Sequence, residues 1–174
     1  MKTLILLLAA SIVTCADVEF KNILGSKYTL ITPKNFRIGA KRNGGEMGYG
    51  ISLINDKTGI SIMYSIVDDK NDRDSIKNID SIVKRFDECK AELGKQVKGD
   101  IVVSKVENGK GFGCITKVEM LKWNADPKHI GEYRYAAFAQ YLRSDGFFIL
   151  VDVYSTKDGQ DFQAAIEYSK SQCR

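Results

Sequence analysis

The stretch GFFILVDVY, residues 146–154, carries apolar side chains on both alternations of a strand. Phe147, Ile149, Val151 and Val153 fall on one side, and Phe148, Leu150 and Tyr154 on the other. Successive side chains of a strand point to opposite faces, so a strand with one face in water keeps polar residues on that face. This run does not, and it reads as a strand covered on both sides.

Working outward, SDG separates it from GEYRYAAFAQYLR (131–143), and NADPKHI separates that run from GFGCITKVEMLKW (111–123). ENGK then leads back to DIVVSKV (100–106). Linkers this short cannot make parallel crossovers, so these four runs are antiparallel neighbours. Toward the N-terminus, KYTLITP (27–33) alternates and stops at Pro33, which fits a first strand near an edge. YGISLIN (49–55) and GISIMYSIV (59–67) flank DKTG, a hairpin loop closed by a glycine suited to positive φ.

Two segments have helical spacing. From Arg73 to Leu93 the apolar residues Ile76, Ile79, Val83, Phe86 and Leu93 recur at three to four, with Asp74 or Ser75 as cap and Gly94 as terminator. From about Gln160, Phe162, Ala165, Ile166, Ser169 and Cys173 form one stripe. The expected order is βββ-α-ββββ-α: an α+β fold whose antiparallel sheet of six to seven strands is flanked by two helices.

That order, with YTLITPKNFRI near its start, resembles the PsbP-like α/β/α sandwich, which bacterial envelope proteins of the DcrB type share. The resemblance spans residues 27 to 172 and rests on element order, not on a catalytic motif. It implies a non-enzymatic accessory or binding role, by analogy of fold.

The N-terminus reads as a secretory signal. Met1 and Lys2 precede TLILLLAASIV, an apolar core of about ten residues. That is too short for the roughly 20 residues a membrane-spanning helix needs. A cut after Ala16 uses Thr14 and Ala16 as small residues and leaves residues 17–174 as a single domain. A lipoprotein peptidase would cut before Cys15 instead and leave that cysteine for lipidation, although Thr14 departs from the usual residue before it. Both routes put the protein outside the cytoplasm, secreted or periplasmic, with no transmembrane helix in the mature chain.

Cleavage after Ala16 leaves Cys89, Cys114 and Cys173, an odd number in an oxidising compartment. Cys114 shares a strand face with Phe112, Val118 and Met120 and reads as a small core residue. Cys89 and Cys173 each lie near the C-terminal end of a helix. If both helices dock on the same sheet face, their tails meet and a Cys89–Cys173 disulfide is the favoured pairing; the alternatives are a disulfide involving Cys114 or three free thiols.

The full chain carries a formal net charge of +4, a balance that requires no nucleic-acid partner. The cations are uneven. Lys21, Lys27, Lys34, Arg37, Lys41 and Arg42 follow one another with no acid between them. They read either as solvated side chains around a strand or as a surface for an acidic protein patch, a polysaccharide or anionic lipid. KRNGGEMGYG (41–50) is glycine-rich but precedes a strand and matches no phosphate-binding pattern, so it reads as a loop beside the hairpin. VDDKNDRDS (67–75) has Arg73 and Asp74 where a calcium loop needs a ligand and a glycine, and its acids suit a helix start instead.

Catalytic residues are hard to place. His129 is the lone histidine and sits in a loop far from Cys114, which argues against a Cys-His pair and a zinc site. No two carboxylates are singled out by spacing, and no cofactor or metal is expected. Tyr133, Tyr135 and Tyr141 share a strand face with Ala137 and Ala139 between them. Such a row either packs beneath a helix or forms a stacking shelf for a sugar or base.

Three functions follow in order. The first is a secreted or cell-envelope binding protein that meets a protein or envelope-surface partner through its sheet edge, glycine loop and basic N-terminal segment. The second is a small-ligand or carbohydrate-binding protein using the tyrosine face. The third is a carboxylate-dependent hydrolase.

Overall fold

The eight strands of the main sheet run antiparallel in the order β3-β4-β5-β10-β9-β8-β6, with β7 also pairing β8. They are β3 (Arg37–Asn43), β4 (Tyr49–Asn55), β5 (Ile60–Val67), β6 (Val97–Lys98), β7 (Val103–Asn108), β8 (Gly111–Met120), β9 (Tyr135–Arg143) and β10 (Phe148–Ser155). Strands β1 (Val18–Lys21) and β2 (Lys27–Leu30) form a separate two-stranded hairpin. Helix α1 (Ile79–Gly94) lies between β5 and β6, and α2 (Gln160–Ser171) follows β10. This computed structural model describes residues 18–21, 27–43, 49–67, 74–121 and 133–171. The signal segment with Cys15, together with Cys173, His129, Asp68, Asp69, Asp72 and most of the glycine-rich loop, lies outside the described residues. Among those described, no helix is long and apolar enough to cross a membrane.

The α+β architecture, with its antiparallel sheet and two flanking helices, is the one expected. Strand β10 lies inside the sheet between β5 and β9. Phe147, Ile149, Val151 and Val153 join Phe162, Ala165 and Ile166 of α2 in one core. Phe148, Leu150 and Tyr154 join Ile82 and Phe86 of α1 in the other. The two helices therefore cover opposite faces. Full burial of a side chain such as Phe162 contributes roughly 1.5–3 kcal/mol, so each core is a substantial part of the stability.

Three local expectations are corrected. KYTLITP does form a strand, β2, but it pairs with β1 and not with the main sheet. Lys41, Arg42 and Asn43, at the start of the glycine-rich run read as a loop, instead end the edge strand β3, in a register broken between Ile38 and Lys41. Helix α1 begins at Ile79 and not near Arg73. Asn78 caps it, accepting from Ser81 N at 3.0 Å while Ser81 Oγ accepts from Asn78 N at 3.1 Å. That reciprocal capping box satisfies two backbone donors at once.

The Cys89–Cys173 disulfide loses its premise. It required both helices on one face, and the sheet separates α1 from α2. Cys89 is exposed and free, and Cys114 is buried and free.

Candidate functional site

Two tight turns build one corner of the molecule. At the first, Phe36 N donates to Pro33 O at 3.1 Å, and Asn35 adopts φ +71°, a left-handed conformation that asparagine tolerates better than most residues. At the second, between β4 and β5, the Asn55 carboxamide accepts from Lys57 N at 3.1 Å and Thr58 N at 3.2 Å. Gly59 closes it at φ +69°, as the DKTG pattern anticipates.

Arg37, the first residue of β3, ties the corner together. Its Nε donates to Asp56 Oδ2 at 2.6 Å and its Nη2 to Asp56 Oδ1 at 2.8 Å. This two-pronged bond holds the Asp56 carboxyl below its ordinary range, and the Asp56 hydrogen bond raises Arg37 in turn. The Arg37 charge is thus already matched. Lys34 and Lys41 are exposed with no ion pair among the described residues. Arg42 stands opposite Gly50 in the register with β4. Lys34, Arg37, Lys41 and Arg42 therefore all lie on β3 or on the turn that enters it, at a sheet edge whose outer side has no strand partner among the described residues.

A cleft of about 370 Å³ opens between the two turns and α2. Phe36, Ile60, Ile62, Ala165 and Tyr168 supply its apolar lining, and Lys34, Lys57 and Asp161 its charged groups. The Tyr168 hydroxyl donates to the Ile31 carbonyl and anchors α2 to the segment that follows β2.

The tyrosines do not form a shelf. Tyr135 packs near Phe162 of α2, with ring centroids 6.4 Å apart, and Tyr141 is fully buried in the same core. Tyr133 belongs to the opposite core, 5.5 Å from the ring of Tyr154. It precedes the start of β9 at Tyr135, so strand alternation does not govern where it falls. Ala137 and Ala139 lie fully or almost fully buried in the α2-side core, which is the packing role.

Asp152 went unmarked by sequence spacing. Its signal was a lone acid in an apolar run, FFILVDVY. It shares the α1-side face with Tyr154, whose hydroxyl lies 3.5 Å from Asp152 Oδ2. Burial raises its carboxyl to about 6, against the smaller lowering effect of the Tyr154 hydrogen bond. Lys57, Thr58 and Tyr168 were also unmarked, because only the fold brings their segments together. The thiol of Cys114 is pushed up to about 12, chiefly by burial, which leaves it inert at neutral pH. Among the described residues, no group of three or more His, Cys, Asp or Glu could hold a metal ion.

No protein-family model and no curated protein matches the chain. Its fold is similar to the crystal structure of the Saccharomyces cerevisiae Ran-binding protein Mog1p, at 10% sequence identity and a TM-score of 0.43 over 92% of this chain and 88% of that one. A likeness that distant carries no function across.

Proposed function

We propose that this protein is a non-enzymatic binding protein, secreted or held in the cell envelope, that engages an acidic protein partner along the β3 edge. The observation that carries this reading is the placement of Lys34, Lys41 and Arg42 at an edge with no strand partner among the described residues. Opposite charge along such an edge steers encounter and fixes register. The signal-like N-terminus supports an address outside the cytoplasm, and the PsbP-like element order supports an accessory role. Neither rival reading gains from the geometry. The tyrosines pack as core, and burial, not a second carboxylate, raises the Asp152 carboxyl.

The test compares two charge-matched triple variants in binding to poly-glutamate and to anionic vesicles. One carries K34E, K41E and R42E; the other carries K84E and K90E on α1 and K95E at its C-cap. A loss of roughly tenfold in poly-glutamate affinity confined to the edge variant supports the reading. Equal losses reduce the effect to net charge and overturn it, and binding to vesicles alone replaces the protein partner with a membrane surface.

A further inference from the structure

The cleft between α2 and the two turns has a composition that the edge reading leaves unused. Its floor is apolar, formed by Ile60, Ile62 and Ala165, all at most 5% exposed, with Phe36 and Tyr168 also lining it. At about 370 Å³ it falls near the lower end of the roughly 300–1,000 Å³ of small-molecule sites. Lys34 and Lys57 stand one on each turn, exposed and without an ion pair among the described residues. Thr58 also lines the cleft, and its hydroxyl is buried without a hydrogen-bond partner among the described residues. A buried polar group left unpaired costs free energy that an incoming acceptor can recover.

We infer that this cleft binds a small amphipathic monoanion, its apolar body on Ile60, Ile62 and Ala165 and its single anionic head between Lys34 and Lys57. The remaining charge in the cleft, Asp161, belongs to the first turn of α2. It repels the head from the helix side and so sets the ligand's direction. Neither lysine alone would select an anion at an exposed rim. Two of them, over an apolar floor with an unsatisfied hydroxyl, discriminate by both charge and shape. Lys34 is common to this site and the β3 edge, but Lys41 and Arg42 line no part of the cleft and Lys57 lies off the edge strand, so K57A tests the cleft apart from the edge.

Octanoate, 1-octanol and octylamine share an eight-carbon body and differ in head charge, so titrating each against the full chain separates the two contributions. The readout is the methyl resonances of Ile60 and Ile62. Saturable one-to-one binding of octanoate is expected, with 1-octanol and octylamine weaker by roughly five- to tenfold, the sum of two partly exposed charge contacts. K34A/K57A brings octanoate down to the affinity of 1-octanol and leaves 1-octanol unchanged. Ala164 lines the cleft but is exposed, so A164W blocks it without entering the core and abolishes octanoate binding. Equal affinity for all three amphiphiles, undiminished octanoate binding in A164W, or no saturable shift of the two isoleucines overturns the assignment.

Discussion

Gly113 of β8 sits directly opposite Tyr141 of β9, and the tyrosine ring fills the space that a β-carbon at Gly113 would occupy. The ring is fully buried in the α2-side core, so the glycine is what lets it lie flat against the strand.

Gly113→Ala should therefore destabilise the protein by about 1–3 kcal/mol, since the new carbon overlaps both the ring and the Gln140 carbonyl oxygen. The urea midpoint falls at an unchanged m-value. Nothing lies within 4 Å of a β-carbon at Gly94, at the end of α1, so Gly94→Ala is the control and leaves the midpoint equal or slightly higher.

Stability should depend on pH through Asp152. Its carboxyl moves from an ordinary 3.8 to about 6 on folding, so the native state favours the protonated form. The stabilising contribution is complete below about pH 4, declines as pH rises toward 6 and is absent above that. Asp152→Asn should flatten this slope and gain on the order of 1–3 kcal/mol at pH 7. Denaturant midpoints measured across pH 4 to 8 check both, and a wild-type midpoint that climbs over that window contradicts the placement of the carboxyl.

The two described thiols should separate by reactivity in the native protein. Cys89 is exposed on α1 and reacts with iodoacetamide, whereas Cys114 is 0% exposed with its thiol pushed up to about 12. Intact mass with peptide mapping should show label at position 89 at once, and at 114 only after denaturant is added.

Releasing Arg37 should strengthen the basic edge. Asp56→Ala removes the carboxylate that now accepts both guanidinium bonds. Affinity for poly-glutamate at low salt should rise, and the gain should fade as salt is added. An unchanged affinity would mean that Arg37 does not face the acidic probe.

Much of the fold was readable because its key signal was local. The two-sided apolar pattern of residues 147–154 locates a central strand, and the stripe Phe162, Ala165, Ile166, Ser169 appears as the buried face of α2. Strand β3 was not readable, because the register shift between Ile38 and Lys41 breaks the alternation that marks a strand. A helix's periodicity says which of its sides is buried but not which face of the sheet it meets, and the Cys89–Cys173 pairing failed on that point. The cleft was hidden for a related reason: Lys34, Thr58 and Tyr168 come from three distant segments, and no spacing in the sequence links them as one site.

The position of β10 also governs the order in which the molecule can be assembled. Its neighbour β5 belongs to the first half of the chain, and every residue of α1 and of β6 to β9 must be made before the two can pair. Until then the growing chain holds a short meander of three strands with one apolar edge open, the kind of edge that invites mispairing. Closing so long a loop is slow. The strand that joins the two halves follows every other strand among the described residues, so a nascent chain stays loose, and dependent on whatever shields that edge, until β10 has emerged.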